Sequence, residues 1–342
     1  GKSSNIAGIF VNQQGFNGNK IDASSFNRIV GLDYNMSSSD GKWRGKLFYH
    51  HSFSPNKTDY SHASWLMYKT RNLNIHWNHE YVGENYRAET GFVPRIQYYN
   101  PETEQYVYRS YWRVEPSIEY SIYPKSSFIN RHSFLFSYDE YFNLDFSSNE
   151  RSFMGGYLLR FTDKSLINIE VEKKKIFLPF NTDVTFSDNT PLDSGYYSFN
   201  TIFLKYESSP INVFNCELFS NYGQYYTGNK LTYGGNLSYR VQPYGRISVD
   251  FEQNYIWMPN NENVKLTLIS PRFDLTFTKK LFFTTFIQYN TQIDNININA
   301  RFQYRFKPMS DVFLVYTDNY NSNIFGIKNR ALVVKLIYWL NI

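Results

Sequence analysis

The segment Asn295–Lys307 alternates between apolar and polar side chains at every second position. One face carries Ile296, Ile298, Ala300, Phe302, Tyr304 and Phe306. The other carries Asn295, Asn297, Asn299, Arg301, Gln303, Arg305 and Lys307. A period of two predicts a β-strand with one apolar and one polar face. The end of the chain repeats the pattern, with Leu332, Val334, Leu336, Tyr338 and Leu340 opposite Lys335 and Asn341.

Alternation of this kind occurs in soluble sandwiches as well as in membrane barrels, so composition has to distinguish them. The 342 residues include 31 Tyr and 30 Phe, yet the mean hydropathy is negative. No apolar run approaches the ~20 residues that a membrane helix needs. Many aromatics without a hydropathy signal are typical of a transmembrane barrel, because lipid-facing and lumen-facing residues alternate and cancel in any average. A large soluble carbohydrate-binding β protein is the alternative.

Charge and motifs exclude several functional classes. The net charge of +5 comes from interspersed acids and bases, so no nucleic-acid partner is indicated. The single Cys216 excludes an internal disulfide. No nucleophile elbow, phosphate-binding glycine loop or zinc signature occurs, so we expect no catalytic residues, no cofactor and no metal.

Strand-like segments recur along the whole chain, and their number predicts the architecture. We expect one antiparallel, up-and-down outer-membrane barrel over residues 1–342, with 18 strands and a range of 16–20. An even number suits a single-chain bacterial barrel, and short turns should alternate with longer loops. The expected strands are 5–11, 25–36, 43–53, 60–69, 72–81, 111–122, 128–138, 152–162, 165–175, 196–206, 211–221, 230–241, 246–257, 265–277, 281–290, 295–307, 311–318 and 330–341. The connection 12–23 should be a long polar loop.

The segment 82–110 departs from the strand pattern of the rest of the chain. It alternates poorly and contains Pro94 and Pro101, which argue against a central strand. Its Tyr, Phe and Val residues offer apolar surface to bury, which argues against disorder. We therefore expect an ordered loop that folds into the lumen and narrows it, with Arg95 paired to a lumen carboxylate. The alternative is an extra hairpin in the wall, which would make 20 strands. Candidate constriction residues are Gly91, Phe92, Pro94, Arg95, Tyr98 and Tyr99.

A barrel of this size has a lumen too wide to be filled by its own wall, so its polar faces should meet water or an internal plug. Lumen-lining candidates share the polar face of an alternating strand. They are Arg113, Glu115, Glu119, Glu170, Glu172, Arg240, Asp250, Glu252, Arg272, Asp274, Arg301, Gln303 and Arg305. Phe302, Tyr304 and Leu336 should face lipid, with Leu336 near the middle of the membrane.

Three stretches resemble a known but uncharacterised domain. They are GFVPR at 91–95, RFQYRFKPMSDVFLVY at 301–316 and NRALVVKLIYWL at 329–340. The chain resembles the C-terminal domain of unknown function of Bacteroidota surface proteins, which follows a family-nine-like carbohydrate-binding domain. The resemblance implies a bacterial outer-membrane location, with a signal peptide and a carbohydrate-binding domain upstream. It supplies no catalytic residues.

The expected function is that of a channel, a ligand receptor or a scaffold subunit of an envelope complex. The expected partners are outer-membrane lipid and also glycans or other envelope proteins. The latter would bind through long loops that contain aromatic residues such as Tyr98 and Tyr99. The alternative is a soluble all-β protein that binds or processes glycans.

Overall fold

The computed structural model describes residues 3–186, 190–259 and 262–340, so Asn341 lies outside the described residues. The chain folds into antiparallel strands joined by turns and loops. No helix in this part of the chain is long and apolar enough to cross a membrane. The strands are β1 (Asn5–Asn17), β2 (Lys20–Ser37), β3 (Trp43–Ser54), β4 (Lys57–Lys69), β5 (Leu73–Val82), β6 (Gln97–Asn100), β7 (Gln105–Tyr108), β8 (Tyr111–Val114), β9 (Ser117–Ile122), β10 (Ile129–Phe142), β11 (Ser148–Phe161), β12 (Leu166–Leu178), β13 (Gly195–Glu207), β14 (Phe214–Tyr225), β15 (Gly228–Val241), β16 (Gly245–Trp257), β17 (Asn263–Thr276), β18 (Leu281–Asn290), β19 (Asn295–Lys307), β20 (Ser310–Asn321) and β21 (Ile327–Ile337).

Each strand of the wall pairs with its neighbours in the chain, which makes an up-and-down barrel architecture. The main sheet has 19 strands, but β8 and β9 lie end to end and both pair with β5 and β10. The wall therefore has 18 positions in the described chain, as predicted. The expected single strand 111–122 is interrupted between β8 and β9, where Pro116 has no N–H to donate to a ladder.

The lengths of the connections differ between the two ends of the wall. The long ones, 83–110 and 179–194, lie at the same end, whereas the turns at the other end are short throughout. This asymmetry is that of bacterial barrels, whose short turns are periplasmic and whose long loops are extracellular.

The predicted loop 12–23 is wrong. The hairpin β1–β2 continues to Asn17 and Lys20, and Gly18 adopts a φ of 61° in the tight turn. This end of the hairpin is polar because it extends toward the extracellular side. Its strands consequently lack the apolar alternation that marks a strand within the membrane.

The inner face of the wall is identified by what touches it. The connection 83–110 contacts Asn27 on β2 and also Glu150 on β11, with β3, β4, β5, β8/β9 and β10 between them. One short segment can reach both strands only across the concave side of the sheet. The residues on this face are mostly polar, and several are joined in ion pairs.

The opposite face is apolar and exposed. Along the middle of the wall it carries Val171 (55% exposed), Ile202 (41%) and Tyr222 (52%), which are cross-strand neighbours. A continuous apolar surface of this kind along an up-and-down wall of antiparallel strands is the lipid-facing band of an outer-membrane barrel. The chain is an all-β transmembrane barrel of the bacterial outer membrane.

Two details of the outer face differ from expectation. Leu336 is two-thirds exposed on this face but lies next to Ile337, the last residue of β21, so it is near the periplasmic end rather than mid-membrane. Asp318 lies opposite Ile298 on the same face and is fully buried. Tyr316, Tyr320 and Arg330 donate hydrogen bonds to its Oδ2 atom at 2.5, 2.6 and 2.8 Å. A charge is tolerated there because these three donors enclose it.

The assignment of the faces can be tested at the centre of β13. Ile202→Arg should destabilise the barrel by roughly 2–4 kcal/mol, because it places a cation among lipid chains near the membrane midplane. Thr201→Arg changes the adjacent residue, which faces the lumen beside Glu172 and Asn221. It should fold nearly as the unaltered chain does.

The measurement is equilibrium unfolding in urea in phospholipid vesicles. A larger loss of stability for Thr201→Arg than for Ile202→Arg would show that the faces are reversed.

Candidate functional site

We call residues 83–110 the first insert, because they fold back against the inner face of the wall. Tyr86 and Ile96 of this insert pack with Val82 and Tyr111 at its two ends, and all four are buried. Burial also raises the pKa of the Tyr86 phenol. The apolar residues that made disorder improbable from the sequence thus form a small core that closes the base of the insert.

Hydrogen bonds attach the first insert to β2, β3 and β4. The Asn27 amide donates to the carbonyl of Arg87 at 3.1 Å and accepts from the N–H of Glu89 at 3.2 Å. The N–H of Arg87 donates to Ser52 Oγ at 3.1 Å. Asn27 and Ser52 are each 1% exposed. Because Asn27 and Ser52 are removed from water, a backbone group of the insert that lost one of these hydrogen bonds could not bond to water in its place.

The carboxylate of Asp59 on β4 holds the beginning of the insert, accepting from the N–H of Asn85 at 3.0 Å. A Cβ atom at Gly83 would collide with this carboxylate, so a larger residue there would have to displace the Asp59 side chain.

Arg95 joins the first insert to the opposite side of the wall. Its guanidinium contacts the Glu150 carboxylate and lies 4.1 Å from the centre of the Tyr141 ring. Lys174 on β12 lies 2.8 Å from the other oxygen of Glu150. Burial alone would lower the pKa of Arg95, but the Glu150 carboxylate outweighs burial, so the pKa is raised and Arg95 stays charged. A lumen carboxylate therefore does pair with Arg95 in the structure.

The remaining constriction candidates are placed differently. Gly91, Phe92 and Pro94 are exposed, with Phe92 at 87%, while Val93 packs against the buried cluster. Tyr98 and Tyr99 lie on β6, which pairs only with β7 in a separate two-stranded sheet. The alternative of 20 wall strands is wrong, because this hairpin is not hydrogen-bonded to the wall in the described chain.

A second insert, within 179–194, covers the neighbouring part of the lumen; residues 187–189 lie outside the described residues. Val184 packs with Leu178, Ile256 and Met258, all of them buried. The Tyr225 hydroxyl donates to the carbonyl of Val184 at 2.9 Å. The second insert is thereby attached to the strands of the wall that lie beyond β12.

The two inserts approach each other and leave a cavity of about 550 Å³ between them. Its lining is mostly apolar and includes Tyr98, Tyr99 and Phe180, with amide groups from Asn149 and Asn181. The guanidinium of Arg109 lies 5.7 Å from the centres of both the Tyr98 and the Phe180 rings, so one cation bridges the inserts. A concave, largely apolar site with a few polar groups is the usual form of a small-molecule binding site.

The lumen-lining candidates lie on the inner face, where most of them pair with neighbouring polar groups. Arg113 contacts Asp139 at 2.8 Å and Glu115 at 3.1 Å. The carboxylates of the other candidates accept from neutral side chains or from arginine: Glu119 from Ser121, Glu170 from Asn168, Glu172 from Ser152, Asp250 from Asn236, Glu252 from Asn254 and Asp274 from Arg272.

The last four candidates are basic or amide residues. Arg240 donates to the carbonyls of Pro210 and Asn212, Gln303 and Arg305 donate to Asp311, and Arg301 lies 6.0 Å from the centre of the Phe313 ring.

Three of these candidates meet in one place. Glu115, Glu170 and Glu172 line a cavity of about 340 Å³ together with Asp139. Among the described residues, no group of three or more His, Cys, Asp or Glu side chains has an arrangement that could hold a metal ion.

Sequence reasoning missed Asn27, Ser52, Asp59, Tyr141 and Lys174 as partners of the inserts. Their alternation places them on the polar face, but nothing in the sequence distinguishes a wall residue that touches water from one that touches an insert. The second insert was expected only as one of the longer loops.

The fold and the inserts define an outer-membrane barrel whose lumen is partly covered from within. No family model and no curated protein matches the chain. Similar solved structures include the siderophore receptor PirA from Acinetobacter baumannii, with 9% identity, a TM-score of 0.45 and coverage of 92% of this chain and 68% of that one. They also include a mutant of the ferric enterobactin receptor PfeA from Pseudomonas aeruginosa in complex with enterobactin, with 6% identity, a TM-score of 0.47 and coverage of 97% and 72%. The similarity is one of overall architecture alone.

We expect the Glu150 carboxylate to hold the first insert against the wall. Glu150→Gln removes the anion shared by Arg95 and Lys174, and leaving such half-buried donors poorly paired costs about 1–3 kcal/mol. Amide hydrogen exchange across 83–110 should accelerate, while exchange in β13 should not change.

Glu217→Gln is the matched control. Its carboxylate also pairs with a lysine, Lys205 at 2.9 Å, but its side chain is 45% exposed and lies away from the inserts. It should leave exchange in 83–110 unchanged. Equal amide exchange rates across 83–110 in the two variants would mean that Glu150 does not hold the first insert.

Proposed function

We propose that the chain is the barrel of an outer-membrane receptor, which binds a small ligand in the cavity between its two inserts. The observation that carries this proposal is the meeting of the inserts over the lumen around an aromatic, concave surface. An open channel needs no such contact, because its loops could remain at the rim.

The attachment of the inserts supports a receptor rather than a wide pore. The first insert is tied to β2–β4 by buried hydrogen bonds and to β11 by the Arg95–Glu150 pair. It therefore crosses the inner space between strands that lie four to six wall positions apart. A solute passing along the lumen would have to pass or displace it.

The lining of the cavity indicates the chemistry of the ligand. Tyr98, Tyr99 and Phe180 offer ring surfaces, and Asn149 and Asn181 offer amide donors and acceptors. These groups suit a ligand that has a flat apolar face and hydroxyl or carbonyl groups at its edge. Both a planar aromatic compound and a sugar ring have this form, so a glycan is one candidate within this class.

Removal of the insert tests whether it obstructs the lumen. Deletion of residues 89–105 takes away β6, the turn that leads to β7 and Arg95 but no wall strand, so the barrel should still fold. Its single-channel conductance in planar bilayers should rise several-fold above that of the unaltered chain. An unchanged conductance in a folded barrel would contradict an obstructing insert.

Ring removal tests the cavity itself. The double variant Tyr98→Ala, Phe180→Ala should lose binding, measured by intrinsic fluorescence with maltohexaose as the glycan probe and benzoate as the planar aromatic probe. Each ring should contribute on the order of 1 kcal/mol, from the scale of aromatic contacts. Phe92→Ala is the control, because Phe92 is an exposed ring of the same insert that does not line the cavity.

Binding of either probe by the unaltered chain, and its loss in the double variant alone, would support the site and identify the ligand class. Equal binding by all variants, or by none of them, would contradict a binding site in this cavity.

A further inference from the structure

A second cavity lies on the inner face of β12–β15. Its volume is about 300 Å³, and apart from Tyr226 in the following turn every residue of its lining belongs to these four strands. Ile176 lines both this cavity and the one between the inserts. The two cavities are therefore neighbours, but this one is formed by the wall, and it lies farther from the extracellular end.

The floor of this cavity is one row of the sheet. The ladders place Glu172, Thr201, Gly223 and Lys230 opposite one another on β12, β13, β14 and β15. Thr201 and Gly223 are small, so the row is low in its middle and carries a long charged side chain only at each end. Neighbouring strands are ~4.8 Å apart, so three spacings separate the Cα atoms of Glu172 and Lys230 by roughly 14 Å along the wall.

The charges at the two ends of this row are not neutralised by the protein. In the described part of the chain, neither Glu172 nor Lys230 forms an ion pair with another side chain. Glu172 accepts a hydrogen bond from the neutral Ser152 hydroxyl at 2.5 Å, and Lys230 Nζ lies 5.2 Å from the centre of the Tyr225 ring. The cavity thus offers a ligand one carboxylate and one ammonium group, at opposite ends.

Some other polar groups of the lining are already paired, whereas others are available to a ligand. Lys174 is 2.8 Å from Glu150, and the Gln224 Oε1 atom accepts from the N–H and the side-chain amide of Asn200 at 3.2 and 3.3 Å. Within the described chain, the Nε2 group of Gln224 and the hydroxyl of Thr201 make no hydrogen bond. A donor and a hydroxyl, which can donate or accept, are therefore left between the two charges.

Aromatic rings form the side of the cavity that is nearer to Lys230. The ring centres of Tyr225 and Tyr226 are 4.9 Å apart, and Phe199 lies 5.5 Å from Tyr226. The Tyr225 hydroxyl donates to the carbonyl of Val184, so the second insert holds this ring in place. Because Lys230 lies beside Tyr225, a ligand that fits the cavity carries its apolar part at the same end as its anionic group.

We infer that this cavity is a second binding site, for a short zwitterionic peptide whose C-terminal carboxylate binds Lys230 and whose N-terminal ammonium binds Glu172. An extended dipeptide spans about 7 Å, so it fits between two charged side chains whose Cα atoms are roughly 14 Å apart. Its amide group meets Thr201 and Gln224, and an apolar C-terminal side chain packs against the Tyr225 ring. A free amino acid carries its two charges on neighbouring carbon atoms, too close together to meet both ends. The site does not depend on the one proposed between the inserts.

The test measures the affinity of the detergent-solubilised chain for three peptides by isothermal titration calorimetry. The peptides are Ala-Phe, its N-acetyl form, which lacks the ammonium, and its C-terminal amide, which lacks the carboxylate. The unaltered chain should bind Ala-Phe roughly tenfold more tightly than either capped peptide, which is the lower end of the scale for hydrogen bonds to charged groups.

Two single variants assign the two ends of the peptide. Lys230→Met should remove the preference for Ala-Phe over its amide but keep the preference over the N-acetyl form, and Glu172→Gln should do the reverse. Lys335→Met and Glu217→Gln are the matched controls, because both residues lie on the inner face and neither lines this cavity. Each control variant should keep both preferences.

The double variant Tyr98→Ala, Phe180→Ala separates this site from the one between the inserts, and it should bind Ala-Phe as the unaltered chain does. Loss of Ala-Phe binding in that variant would place the peptide between the inserts and overturn the assignment. No binding of Ala-Phe by the unaltered chain, or equal affinity for the three peptides, would overturn it as well. So would a loss in Lys230→Met or Glu172→Gln that is the same for all three peptides, since a purely structural role would produce it.

Discussion

The structure depends on one constraint, which is that every backbone polar group within lipid must find its partner in the wall. Antiparallel pairing of neighbouring strands meets this requirement in every ladder from β1–β2 to β20–β21. The same pairing makes each strand two-sided, so the alternation seen in Asn295–Lys307 recurs in most strands. Pro116 shows the local cost of breaking the rule: the ladder is interrupted there, and the wall position is shared between β8 and β9.

The inner face of the wall does not contact lipid, so its side chains need not be apolar. Several of its polar side chains bind the inserts. Arg95 meets Glu150 and Lys174 in a cluster that would be too costly on the lipid side. Asn27 and Ser52 bind the backbone of the first insert, so a segment without strands in the wall is nevertheless ordered. The cavity between the inserts follows from these attachments, because they bring Tyr98 and Phe180 to the same guanidinium, that of Arg109.

The exceptions to the alternating pattern are informative for the same reason. Asp318 is an acid on the outer face, and it is enclosed by two tyrosine hydroxyls and Arg330 near the extracellular end of β20. The strands β1 and β21 are apolar on both faces at the two ends of the wall. For Asp318, the departure from alternation coincides with a local environment that lipid and water do not provide.

The sequence by itself determined the class of fold and the face of most wall residues, because period-two alternation is imposed locally by strand geometry. It predicted 18 wall strands within a range of 16–20, and the structure has 18 wall positions over the described residues. It also favoured a segment 82–110 that leaves the wall, since Pro94 and Pro101 cannot donate to a ladder, but it left a further wall hairpin as the alternative. It misjudged the β1–β2 hairpin, whose polar end lacks the apolar alternation that marks a membrane strand. Only the tertiary structure decided which polar residues hold the inserts, where the cavity lies and that, over the described residues, β1 pairs only with β2 and β21 only with β20. These features depend on contacts between residues far apart in the chain, and a strand's own pattern is the same whether its inner face meets water or another segment.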